Sequence, residues 1–363
     1  RSRCAASTLI PPYDLRTMEP DHIQRKKPMY PVGAALNTYL EQHSRKVRLP
    51  IDYAELLRFD GLIPKVDDNG KETLWNTVLL RPSDQEELHA RLVEVYQLLI
   101  ADGRPIDYLK VASIDYCIYG NSQPFRIKIL NQINDNHDYY YIKKADASRI
   151  YGLELEHLLS PNRINYMYGE GTLVEEHIIG VPGDDFIAAP QHFGGNLNAV
   201  RLSKEFVKFN ERCFLRLLGD MRAYNFVVDV IQDFDKVQYR IRSIDFDQQC
   251  YEGRHRIYLP QFFKENKPYE ELASTTIGLE TAQQYANEER ALLRKRYRLS
   301  QDQLDQLFDV MRGDTISTPE HVALLAAELA EVHGLPALRE CGTMGELLHQ
   351  HLRARLELDR VSG

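Results

Sequence analysis

An aspartate and an asparagine five residues apart stand out in Leu218-Gly219-Asp220-Met221-Arg222-Ala223-Tyr224-Asn225-Phe226-Val227-Val228, and two further acids follow in Ile244-Asp245-Phe246-Asp247. Phosphoryl transfer needs a carboxylate to orient an attacking hydroxyl or accept its proton, and hard oxygen ligands to hold magnesium on nucleotide phosphates. Asp220 suits the first role, and Asn225 with Asp245 suits the second. Bringing Asp245 back to the first loop requires a hairpin. Asn225–Ile231 and Val237–Ile244 supply its two strands around the polar turn Gln232-Asp233-Phe234-Asp235. Arg222 has two readings: it neutralises phosphate charge, or it pairs with Asp220 or Asp247 as support.

The elements upstream must position this loop. Leu88, Leu92, Val95 and Leu99 recur at helical spacing behind a capping box at Ser83–Glu86, which predicts an amphipathic helix ending before Gly103. Tyr108–Tyr119, Phe125–Leu130 and Asp138–Lys144 are rich in Ile, Val and Tyr, with breaks at 120–124 and 134–136, so three strands in a meander are expected. A helix over Ala147–Leu159 follows, stopped by Pro161, then strands at Ile164–Tyr168 and Thr172–Ile179. From Ser203 the stripe Phe206, Phe209, Cys213 and Leu217 is helical. Further helices start at Ser300/Gln303, Thr318-Pro319 and Thr343/Glu346. The prolines of residues 1–80, Pro11 to Pro64, suit an irregular arm, and Gln24-Arg25-Lys26-Lys27 reads as a solvated surface turn.

Gly219-Asp220-x4-Asn225 followed by Ile244-Asp245-Phe246-Asp247 resembles the catalytic loop and metal-binding motif of protein-kinase-like enzymes, and is most similar to the aminoglycoside phosphotransferase and choline kinase branch. The resemblance covers about residues 108–270. It implies an α+β, bilobal protein-kinase-like fold with a small antiparallel-sheet N-lobe (105–180), preceded by an N-terminal extension with one amphipathic helix (1–104). A mainly helical C-lobe with a helical C-terminal tail would occupy 181–363. It also implies ATP and Mg2+ as cofactors, with Asp220 and Arg222 catalytic and Asn225, Asp245 and Asp247 at the metal. Lys143, rather than Lys144, takes the place of the phosphate-contacting lysine. Glu154, on the Ile150–Leu158 stripe, is preferred to Glu156 as its partner. Backbone groups around Glu176, His177 and Ile178 would meet the adenine edge, and Gly120, Asn121 and Ser122 would cap the phosphates. Departures are Leu218, where the family usually has a histidine, and the single glycine of the phosphate turn.

Composition narrows the partners. With 45 Lys+Arg against 53 Asp+Glu the chain carries a net charge of −8, the wrong sign for a general nucleic-acid binder and a slight bias toward a cationic partner. No apolar run approaches the length of a membrane span, and the apolar stretch within RSRCAASTLIPPYD is short for a secretory segment. Five widely spaced cysteines and twelve histidines show no metal-ligand spacing, so reduced thiols in a soluble cytoplasmic protein are expected. The acceptor would be a small-molecule hydroxyl or a protein substrate, with no nucleic acid and no membrane. Other readings are a pseudokinase acting as a binding scaffold, nucleotidyl transfer on the same fold, and an α+β domain whose acids only cap turns.

Overall fold

In the computed structural model, described over residues 27–67, 70–190, 197–233 and 236–358, strand alternation builds the first layer. In β4 (Phe125–Asn131), Phe125, Ile127 and Ile129 are buried on one face, while Arg126 and Lys128 turn to the other. In β5 (His137–Lys144), Tyr140 and Ile142 join the same core. Tyr141 and Lys143 therefore face the opposite way. The sheet is antiparallel and seven-stranded, in the order β1-β2-β3-β4-β5-β7-β6. It also contains β1 (Gly61–Val66), β2 (Glu72–Leu79), β3 (Leu109–Tyr116), β6 (Tyr166–Gly169) and β7 (Thr172–Glu176). The stripe Leu88, Leu92, Val95 and Leu99 of α3 (Pro82–Ala101) closes its buried face.

The chain is thus α+β, and the described residues from 27 to 104 are structured rather than an irregular arm. They supply β1 and β2, together with α1 (Ala34–Gln42) and α2 (Tyr53–Leu56), so one amphipathic helix is too few. β2 pairs with β3 through Asn76–Tyr116 and Thr77–Asp115, across the boundary expected at 104/105. Proline density misled because β1 is an edge strand, where Pro64 sits beside a register shift and its missing N–H costs no ladder bond. The expected capping box of α3 also does not form. Arg81 occupies the cap, Pro82 starts the helix, and Ser83 Oγ donates to Asp84 instead (2.7 Å).

The second layer has a three-stranded sheet, β10-β9-β8, formed by β8 (Val181–Pro182), β9 (Phe226–Asp233) and β10 (Lys236–Ser243). Around it lie helices α5 (Gly183–Ala188), α6 (Ala199–Arg216), α7 (Lys267–Thr276), α8 (Leu279–Leu299), α9 (Gln301–Arg312), α10 (Pro319–His333) and α11 (Met344–Leu356). Thr318 and Thr343 cap their helices as expected, whereas the Ser300 side chain makes no cap. α6 is strongly amphipathic, with Leu202, Phe206, Phe209 and Cys213 in the large second core. Residues 234 and 235 of the hairpin turn lie outside the described residues. None of the described helices is long and apolar enough to cross a membrane.

Helix α4 (Ala147–Leu159) joins the layers and is buried along nearly its whole length. Its cap residue Asp146 accepts from Lys27 Nζ (2.5 Å) and Tyr30 N (2.7 Å). Lys27 is therefore buried rather than part of a solvated turn; residues 24–26 of that run, and Cys4, lie outside the described residues.

Candidate active site

Between the two sheets lies a cleft of about 450 Å3, and the path of the chain explains which residues reach it. Gly120, Asn121 and Ser122, in the turn between β3 and β4, line one wall. A Cβ at Gly120 would stand 2.8 Å from the Pro124 ring, so the turn closes only with glycine there. Lys143 points in from the face of β5 opposite Tyr140 and Ile142. The ladder between β5 and β7 ends at the Tyr140–Glu176 pair, and the backbone of His177 and Ile178 runs on past it along the cleft. Asn225, Asp245 and Asp247 line the wall opposite, at the base of the β9–β10 hairpin.

The lysine's partner is Glu175, not Glu154. Glu175 pairs with Tyr141 in the ladder and so shares the face of Lys143 one step along. Lys143 Nζ donates to Glu175 Oε2 (2.8 Å). Arg149, 2% exposed, grips the same carboxylate with Nε (2.5 Å) and Nη2 (2.7 Å), and its Nη1 donates to Asp245 Oδ1 (2.7 Å) and Asp247 Oδ1 (2.8 Å). One guanidinium thus ties strand, helix and loop together, which its planar fork permits and an ammonium does not. Burial alone would raise the Glu175 pKa, but Arg149 and Lys143 outweigh it and bring it down to about 2. Burial first, and the Arg149 charge second, push the Lys143 pKa down against the pull of Glu175.

Glu154 lies on the other side of α4. Its carboxylate accepts from Tyr39 Oη (2.8 Å), Arg45 Nε (2.9 Å) and Tyr166 Oη (2.6 Å), which anchors α1 and β6 to α4. Glu154 does lie on the Ile150–Leu158 stripe, but that face turns away from the cleft, and Arg149, one residue before Ile150, turns toward it. Replacing Glu154 by Gln is expected to cost about 2 kcal/mol of stability, since charge-assisted bonds become neutral ones. Chemical denaturation checks this; an unchanged midpoint would contradict the structural role.

Asp220 and Arg222 stand beside the cleft and do not line it. α6 ends with Leu217 in the left-handed region (φ 50°), and Asp220 adopts it again (φ 56°), a conformation Asp and Asn tolerate better than other non-glycine residues. Asn225 Nδ2 donates to Asp220 O (2.8 Å), which joins the loop to the cleft wall. The Asp220 carboxylate accepts from Arg222 Nε (2.6 Å), and Arg222 Nη1 also donates to Glu265 (2.9 Å). Of the two readings for Arg222, the pairing with Asp220 is the arrangement found. Burial pushes the Asp220 pKa up to about 6, with Arg222 opposing and the Asp245 and Glu252 charges adding to the rise.

The donor set suits magnesium, which takes hard oxygens and usually needs only one or two protein carboxylates once phosphates are present. Asp245 Oδ1 also accepts from Asp247 N (3.1 Å), which fixes the turn after β10. Enclosure, and then the adjoining Asp247 charge, raise the Asp245 pKa against Arg149. Among the described residues no three His, Cys, Asp or Glu side chains form a ready-made metal cluster.

Other cleft residues besides Glu175 and Arg149 escaped sequence reasoning, among them an aromatic–cation pair. Trp75 of β2 and Arg126 of β4 line the cleft, with the Arg126 guanidinium 4.4 Å from the Trp75 ring centre. Trp75 was hidden in a proline-rich region, although a lone tryptophan in an alternating stretch was a usable signal. Compared with known proteins, the chain matches no protein-family model and no curated sequence.

Proposed function

We propose that the two layers are the lobes of a protein-kinase-like phosphotransferase, similar to the aminoglycoside phosphotransferase and choline kinase branch, which moves the γ-phosphoryl group of ATP to a hydroxyl acceptor. A small-molecule acceptor is favoured over a protein. One observation carries the reading: Gly120–Ser122, Lys143, Asn225, Asp245 and Asp247, dispersed over more than a hundred residues of sequence, face one cleft. Lys143, held by Glu175, meets the phosphates, and the Gly120–Ser122 turn covers them. Asn225 and Asp245, with Asp247 beside them, would stand at the magnesium, which when bound neutralises phosphate charge. The acceptor enters from the side where the Asp220 loop adjoins the cleft wall; its oxygen attacks the γ-phosphorus, its proton passes to Asp220, and the bond to the bridging oxygen breaks as ADP leaves. Catalysis of this kind is mostly positioning and charge neutralisation.

A second reading, a nucleotide- or protein-binding scaffold, is favoured by the hold of Arg149 on Asp245 and Asp247. The sole tryptophan, Trp75, lines the cleft and reports on its occupancy. Titration with ATP and magnesium is expected to change Trp75 fluorescence saturably at submillimolar nucleotide, and Lys143→Met should weaken binding about tenfold or more through the lost charge-assisted contact. No change at millimolar nucleotide would reject the phosphotransferase.

A further inference from the structure

The buried ion-pair network at the cleft sets two cations against three carboxylates. Lys143 and Arg149 are its buried cations, and Glu175, Asp245 and Asp247 are the anions they touch. Glu175 is fully engaged, its Oε2 taking Lys143 and Arg149 together and its Oε1 taking Arg149. The remaining edge of the arginine, Nη1, is shared between the two aspartates. These are not equivalent. The Asp247 side chain is 11% exposed, whereas that of Asp245 is 35% exposed on the cleft. A buried carboxylate needs its counter-charge, and an exposed one can exchange it.

We propose that Arg149 is a resident cation reserved for Asp247, which removes that carboxylate from the metal set and leaves a site for a single divalent ion at Asp245 and Asn225. This rests on the phosphotransferase reading of the same cleft. Arg149 acts through the aspartates and is a positioning residue. Its place on α4 couples the metal site to the sheet, because the same guanidinium holds the glutamate that holds Lys143. Two ions bound with the nucleotide would need both aspartates, which would leave the buried guanidinium with Glu175 alone.

The test is equilibrium dialysis of the whole chain with radiolabelled manganese and a saturating non-hydrolysable ATP analogue, with thermal unfolding run beside it. The wild type is expected to take one manganese per chain. In Asp247→Asn, Arg149 turns its full charge on Asp245, and manganese affinity should fall about tenfold. In the double variant Arg149→Gln/Asp247→Asn both charges are gone and Asp245 is released, so affinity should return to within about threefold of wild type. Two manganese ions in the wild type, or a double variant binding as weakly as Asp247→Asn, would overturn the proposal while leaving the nucleotide site standing. A wild type that binds neither analogue nor manganese rejects the phosphotransferase reading, and this inference with it. Should the double variant fail to fold, Asp247→Asn alone decides: undiminished manganese affinity refutes the reservation.

Discussion

Replacing Asp245 by alanine is expected to cut ATP turnover by about a thousandfold or more and to leave the fold in place, because the loss falls on charge stabilisation of the phosphates. The Asp245 side chain faces the cleft from the end of β10, and its protein contacts are Arg149 Nη1 and the amide of Asp247. Arg149 keeps Glu175 and Asp247 when Asp245 is removed, so no buried charge is stranded. Steady-state release of phosphate or phosphorylated product measures the first half of this expectation, and thermal unfolding the second. Activity within tenfold of wild type would remove Asp245 from the reaction. A collapsed melting temperature would make it a structural residue.

Asp220→Asn should be equally damaging to the rate, through a different signature. Burial holds the Asp220 carboxyl at about 6, so it is a competent base only above that pH. The wild-type rate should climb about tenfold per pH unit below 6 and level off above it, and the variant should lose that ascending limb. The stability effect has the opposite sign to the usual aspartate case. Its folded-state pKa is above the ordinary 3.8, so the folded protein holds the proton more tightly than the unfolded chain. That contribution is fully present below about pH 4 and is lost as pH rises through about 6. At neutral pH the ionised Asp220 therefore costs stability even with Arg222 beside it. Asparagine tolerates the left-handed backbone at this position and carries no charge, so the variant should melt no lower than wild type at pH 7–8. An inactive variant that melts well below wild type would contradict this account of the loop, and an unaltered pH profile would remove Asp220 as the base.

Local patterns were readable where one stretch of sequence carried the whole signal. The stripe and stops around α4 placed that helix at Ala147–Leu159, and the run of Ile, Val and Tyr marked β3, β4 and β5 to within a few residues. The β9–β10 hairpin brings Asp245 back beside Asn225, with Ile244 N donating to Asn225 O (3.1 Å). What escaped was the pairing of faces. Periodicity says that Glu154, Ile150 and Leu158 share a side of a helix; it does not say whether that side meets β6 or the cleft. Arg149 resembles a surface residue in sequence and is among the most buried side chains in the fold, because three carboxylates from β7 and the loop after β10 converge on it. Pro64 made β1 and β2 look irregular, and with them Trp75 was lost from the site, because an edge strand accepts a proline that a central strand would reject.

The most direct measurement is a crystal structure of the chain with a non-hydrolysable ATP analogue and magnesium. The triphosphate is expected between the Gly120–Ser122 turn and Asp245, with Lys143 on its oxygens and the base against the backbone of Glu176–Ile178. An analogue bound elsewhere, or a cleft that stays free of it at millimolar concentration, would contradict the assignment of this crevice to phosphoryl transfer.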